Sequence, residues 1–457
     1  MRRGRLPALA AAARLLALLA GGAAAVEWRP AGGLAVRTLA LGLAPGEKPG
    51  GLALDASAGH LFVSTADASD VGRVRVFDLY SGRLSRAIGP FTSNVGVTVA
   101  EDLGRAFVND MSGSVTVLDT RTGAPLETMA GGGDRAAIAV DARRRHVFLT
   151  NYNGDSVSVF DARGGKELRR IYLGIFYEPD GLILDELTGH ILVTSRSKRS
   201  ARVVDPATGR VLRTVGVVGA FQPAVDTRRG WFLVTTDQGL LALDAASGRT
   251  LRAIHLNQTP YVALLTDTRT GQALVGGDTR TSMVDVQRGI VTRTIAVPLP
   301  YQTVVDERSR RAFIVDPVGS VVRVVDTRGG TVVRTVVVAA NPGFPVLDAR
   351  RERVFVTAQG TVDSAGRALG MGAVTVLDAR GGTVVGTVAV GVNPSAVAVD
   401  ERTGHAFVAN SGGAVVVPDN WGWMPGWLRR RLPFLSPPGP RTRVVPGSVS
   451  VLDQGKG

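Results

Sequence analysis

Carboxylates and imidazoles recur along this 457-residue chain at a spacing that could supply acid–base or metal chemistry. Asp55, Asp141, Asp185, Asp226, Asp267, Asp306, Asp348 and Asp400 form one series, and His60, His146, His190 and His405 each follow one of its members at the same distance. An imidazole near a carboxylate is the raw material of a general base or of a zinc ligand pair. The phase of these residues argues for a different use. Where four units carry His, the other five carry Arg105, Trp231, Gln272, Arg311 and Arg353. A slot that accepts Arg, Trp or Gln is not a metal ligand. The Asp series, with Ala100 as its one exception, sits where a carboxylate accepts hydrogen bonds from the turn backbone that follows it. No segment has the spacing of a calcium loop, a phosphate loop or a nucleophile elbow. The chain has no cysteine, which excludes disulfides, thiolate metal sites and covalent haem attachment. No cofactor and no metal are expected.

The elements that position these residues repeat about every forty residues. A second Asp series, Asp78, Asp119, Asp161, Asp205, Asp244, Asp285, Asp326, Asp378 and Asp453, closes the third strand of each unit. Its first six steps lie between 39 and 44 residues, and the last two are longer. Each unit reads as four short apolar strands, rich in Val, separated by Gly and Asp turns. That period and strand count predict an all-β fold, a single β-propeller of four-stranded blades. Nine repeats are counted, or eight if one unit is degenerate. The last unit has only three strands, PSAVAVD (Pro394–Asp400), HAFVAN (His405–Asn410) and SVSVLD (Ser448–Asp453). VRTLAL (Val36–Leu41) resembles the fourth strand VRTVVV (Val333–Val338), so the N-terminal strand is expected to complete the last blade and remove an open sheet edge.

Residues 1–25 read as a secretory signal peptide: a basic start, MRRGR, a short apolar stretch and a small-residue site at Ala23–Ala25. Cleavage near Ala25 and a location outside the cytoplasm, secreted or periplasmic, are expected. Residues 26–33 would be a linker and 34–457 the propeller. No later stretch is long and apolar enough to span a membrane, so no transmembrane segment is expected in the mature chain, which should be a monomer. The net charge of +14 loses four with Arg2, Arg3, Arg5 and Arg14 and stays at +10. Such a charge can attract nucleic acid or another polyanion. Only Lys48, Lys166, Lys198 and Lys456 are lysines, and the arginines are scattered through the turns of every unit, which points to a compositional or structural use.

The unit FLTNYNGDSVSVFD (Phe148–Asp161) resembles the YVTN family of extracellular β-propeller repeats, with weaker versions at VSTAD (Val63–Asp67), VNDMSG (Val108–Gly113) and VANSGG (Val408–Gly413). The resemblance covers about residues 34–457. It implies fold and export. It carries no catalytic motif, because the shared residues build blades.

Function should therefore sit where the repeat is broken. Between the second and third strands of unit eight lies GTVDSAGRALGMG (Gly360–Gly372), and in the same place in unit nine lies a Trp-, Pro- and Arg-rich insert over residues 418–447. Strand alternation puts both on one face, beside the slightly long loop Thr65–Gly72 of unit one. The insert holds three of the five tryptophans, Trp421, Trp423 and Trp427, with Arg429, Arg430, Arg431 and Phe434. Aromatic anchors beside arginine suit a binding surface for a protein or a cell-envelope component. The same residues would also suit a self-packed lid. A second series lies in the loops entering consecutive blades, Tyr177, Phe221, Tyr261, Tyr301 and Phe344, and is expected to line the rim of the central channel. The expected function is a secreted non-enzymatic scaffold that binds an unidentified partner through the insert-bearing face. An enzyme with a channel-mouth site would draw on Glu178, Asp180 and Asp134, and polyanion binding would draw on the basic surface.

Overall fold

The structure is a computed structural model, which describes residues 34–44, 46–92, 95–129, 137–217, 223–257, 260–277, 280–296, 303–365, 367–417 and 441–453; for residues 260–263, 417 and 441 it describes the backbone only. The expected signal peptide, the linker and residues 418–440 of the insert lie outside the described residues.

Nine four-stranded antiparallel sheets follow one another along the chain. Blade three is representative. Its strands are Ile138–Asp141, His146–Asn151, Ser156–Asp161 and Glu167–Tyr172, paired in sequence order. The register places His146 opposite Asp161 and Asn151 opposite Ser156. In each of blades one to eight the pairing of the third and fourth strands carries a β-bulge, as between Val159 and Phe160. A bulge adds local twist, which fans the outer strand of each blade.

The ninth blade confirms the expected closure. Its order is Ala35–Ala40, Ser448–Asp453, His405–Asn410 and Pro394–Asp400, with Val36 opposite Leu452 and Leu39 opposite Val449. This pairing has no register shift. In the other blades the bulge follows a short Asp-capped turn, and no such turn joins the two chain ends. The first strand of blade one, Lys48–Asp55, packs against those of both blade two and blade nine, so the ring is complete at nine.

The hydrophobic core is divided in the same way. Nine clusters of buried side chains lie one at each junction between neighbouring blades. The one at the closure joins Leu39, Val449, Val451 and Phe407 of blade nine to Leu61, Val63 and Phe77 of blade one. Phe62, Phe107, Phe148, Phe313, Phe355 and Phe407 occupy the second strand at one phase and are fully buried. Each such ring contributes roughly 2–3 kcal/mol of burial, so the junctions hold the ring without any covalent link.

Candidate functional site

The recurring carboxylates and imidazoles hold the scaffold. Asp55 Oδ1 accepts from the Ala58 amide at 2.8 Å, Asp141 Oδ1 from Arg144 at 2.8 Å, and Asp348 Oδ1 from Arg351 at 3.0 Å. All eight members of this series are buried. The turn amides satisfy one oxygen of each, which offsets the cost of burial, while Asp55 Oδ2 and Asp185 Oδ1 are buried without a hydrogen-bond partner among the described residues. Two of the imidazoles reach sideways. His60 Nδ1 lies 2.6 Å from the carbonyl of Thr120 in the next blade, and His190 Nδ1 lies 2.9 Å from that of Ala245. Among the described residues no group of three or more His, Cys, Asp or Glu could hold a metal ion.

Several arginines on this turn face are also structural. Arg144 Nη1 donates to Glu186 O at 3.0 Å, Arg229 Nη1 to Thr268 O at 2.8 Å, and Arg351 Nη1 to Glu401 O at 2.7 Å, each in the following blade. Arg402 Nη2 closes the series by donating to Ala56 O at 3.2 Å and Tyr80 Oη at 2.6 Å across the ring junction. Glu307 and Glu401 answer in the opposite direction, accepting from the amides of Thr268 at 2.9 Å and Ala349 at 3.2 Å. Much of the positive charge of this face is thus spent between blades.

The opposite face carries the inserts. In blade nine the chain leaves the second strand at Asn410 and forms an extra two-stranded ribbon, Gly413–Val417 paired with Arg441–Val445. Gly412, at φ 67°, roots the ribbon; a Cβ there would stand 2.3 Å from the carbonyl oxygen of Val445. The insert of blade eight docks onto this ribbon through its main chain. The Ala368 amide donates to Ala414 O at 3.2 Å, and the Val416 amide donates to Ala368 O at 2.9 Å. Arg367 Nη1 adds a contact to Thr442 Oγ1 at 3.4 Å. Ala368 is buried, while Leu369, Met371 and Val444 are exposed around it. Blade one abuts the root, where Ser411 Oγ donates to Pro49 O at 3.2 Å. The two long inserts therefore form one raised platform against blade one. Trp421, Trp423, Trp427, Arg429, Arg430, Arg431 and Phe434 belong to the segment joining the two ribbon strands and lie outside the described residues.

The rim expectation needs correction at Tyr177. Its side chain is 1% exposed, with Oη donating to Val193 O at 3.0 Å and the Arg202 guanidinium 4.2 Å from the ring centre. Burial pushes its phenol up to about 12, against smaller opposing contributions from Ser200 and Arg202. The residue facing solvent is its neighbour Phe176, 68% exposed. The reason is the backbone: Phe176 and Glu178 both adopt left-handed conformations, φ 55° and 50°, which turn the residue between them inward. Asp155 holds this turn by accepting from both amides, at 2.7 and 2.9 Å. Phe344 is 58% exposed in the first strand of blade eight. Tyr261 lies in the first strand of blade six, and Phe221 and Tyr301 lie outside the described residues. Glu178 and Asp180 come together beside Tyr177 but are already engaged: Tyr152 Oη donates to Glu178 at 3.1 Å, Ser197 Oγ also donates to it, and Arg196 pairs with Asp180. Asp134 lies outside the described residues.

No family model matches the chain, and no curated protein matches it. Among solved structures it is similar to a dihydro-heme d1 dehydrogenase, NirN, in complex with DHE, with a TM-score of 0.54 and 15% identity, covering 73% of this chain and 74% of that one. At that identity the likeness shows the propeller fold alone.

Proposed function

We propose that this chain is an exported, non-enzymatic β-propeller of the YVTN kind that acts as a binding scaffold through the face carrying the inserts of blades eight and nine. The observation that carries the reading is the main-chain pairing of Ala368 with Ala414 and Val416. Two insertions in neighbouring repeats have no need to meet in order to hold the ring, since the core clusters already do so. Their union makes a preorganised base for the segment 418–440, and preorganisation lowers the entropy lost on binding. Trp421, Trp423, Trp427, Arg429, Arg430, Arg431 and Phe434 are proposed as the side chains that meet a protein or cell-envelope partner. The test is affinity capture with the full chain and with a variant in which residues 418–440 are replaced by a short Gly-Ser turn. Loss of the partners supports the reading, and an unchanged set rejects it.

A second reading, an enzyme with a site at the channel mouth, draws on Glu178 and Asp180, which accept from Tyr152 of blade three and Thr194 of blade four. The solved neighbour's name suggests a direct assay. Haem titrated into the purified chain should leave its Soret band unshifted if the scaffold reading holds.

A further inference from the structure

The ribbon of blade nine has an open edge, and the bonds on its other side fix which main-chain groups that edge presents. Its strands pair antiparallel, with Ala414 opposite Val444 and Val415 opposite Arg443. The Ala368 amide donates to Ala414 O, and the Val416 amide donates to Ala368 O. The main-chain groups of Ala414 and Val416 therefore point away from the second strand, and those of Gly413, Val415 and Val417 point toward it. Bonded residues of an antiparallel pair lie opposite one another. Val445, Arg443 and Arg441 thus supply the inner bonds of the ribbon. The N–H and C=O groups of Thr442 and Val444 point outward, and no further strand pairs with Arg441–Val445 among the described residues. Thr442, Arg443 and Val444 are exposed, Val444 at 74%.

The outer strands of the blades also have an open side, but in blades one to eight each carries a bulge. A bulge, a lysine or a proline blunts an edge against pairing. The ribbon has no register shift, and Arg441–Val445 contains neither lysine nor proline. Its first strand already holds an extended segment through main chain, in the parallel bridge of Ala368 to Val415. Charge is lopsided as well. The inserts of blades eight and nine, over their described residues, hold three arginines, Arg367, Arg441 and Arg443, against one carboxylate, Asp363. Blade one beside them adds Lys48 and Arg73 against Asp67 and Asp70, which leaves that balance unchanged.

We propose that Arg441–Val445 receives an extended acidic segment of a partner protein as an added strand. A row of outward donors and acceptors is complemented by extended main chain, and side chains alternating along that chain supply selectivity. A carboxylate opposite Arg443 makes the favourable cross-strand pair. The inference rests on the platform reading and states what the partner presents to it.

The test is fluorescence anisotropy of a dye-labelled peptide, Thr-Val-Glu-Val-Glu-Val-Thr, titrated with the full chain. Saturable binding is expected, about tenfold weaker or worse when lysine replaces both glutamates. Val444→Pro removes an outward N–H and leaves the inner bonds of the ribbon in place, as proline is tolerated at an edge whose N–H faces solvent. It should weaken binding about tenfold or more at an unchanged thermal midpoint. The same peptide N-methylated at each Val and Glu should not bind the parent chain, which tests the main-chain contact without altering the protein. No binding of the acidic peptide, equal binding by Val444→Pro, or equal binding of the N-methylated peptide overturns the proposal. Self-association of the chain, seen by sedimentation velocity and abolished by Val444→Pro, would assign the edge to a second copy and overturn it too. The two readings fail separately: capture unchanged by replacing residues 418–440 rejects the platform, whereas peptide binding unchanged by Val444→Pro rejects the added strand.

Discussion

Arg75 grips Glu47 at the seam of the ring, with Nη2 2.8 Å from Oε2 and Nε 3.2 Å from Oε1. Thr65 Oγ1 donates to the same carboxylate at 2.5 Å, and the Ala44 amide donates at 3.0 Å. Glu47 is 4% exposed and sits in the segment that carries the chain from the fourth strand of blade nine into blade one. The pair therefore pins the strand that closes the propeller.

Breaking a buried pair leaves the other charge stranded, which costs roughly 3–5 kcal/mol. Glu47→Ala should lower the urea midpoint accordingly, while Arg249→Ala, at an exposed turn of blade five, should hardly move it. An unshifted midpoint for Glu47→Ala would mean that the seam is held by the apolar cluster alone.

The same pair sets an acid limit. Burial on its own raises the Glu47 carboxyl, but the hydrogen bonds from Arg75, Thr65 and Ala44 outweigh it and hold the group below its ordinary value of 4.5. A lowered folded value means that its stabilisation is fully present above about pH 4.5 and is lost as pH falls through the folded value. Glu47→Gln should flatten the acid side of a stability–pH curve below pH 4.5 and leave its slope near neutrality unchanged.

Asp267 tests the scaffold reading of the repeated carboxylates. It is fully buried and accepts from the amides of Arg269 and Thr270, both at 3.1 Å, and from Thr327 Oγ1 of the next blade at 2.5 Å. Asp267→Ala should cost about 2–3 kcal/mol and leave any partner binding intact, measured by denaturation and by capture in parallel. Loss of binding at unchanged stability would give the residue a functional role instead.

Tyr177 offers a spectroscopic check of the rim correction. With its phenol pushed up to about 12, it should be the last to ionise in an absorbance titration that resolves the tyrosines. Tyr177→Phe should remove that late step and cost about 1 kcal/mol, the value of one buried hydrogen bond. Ionisation alongside the exposed tyrosines would place the ring at the surface.

The ring was legible because its signals repeat. Asp78 through Asp453 mark every third strand, and the missing fourth strand of the last unit points directly to Val36–Leu41. The exchange of Phe176 for Tyr177 was not legible, because it turns on two positive φ angles in a loop with no period. Nor was the meeting of Ala368 with Ala414. Neither residue has a side chain that advertises contact, and main-chain pairing between two irregular inserts leaves no mark in the pattern of apolar residues. The structural use of arginine was legible only in outline: scatter through every unit suggested it, but the partners are carbonyls of the next blade, which any residue type supplies.

Ala368→Pro provides the most direct test of the joined platform. Proline removes the amide that donates to Ala414 and so loosens one insert from the other while leaving the nine core clusters untouched. Partner capture by this variant, compared with the parent chain at matched thermal stability, should fall by about tenfold or more, the value of one to two hydrogen bonds with their preorganisation. Undiminished capture by a fully folded variant would contradict the claim that the joined inserts of blades eight and nine are the binding platform.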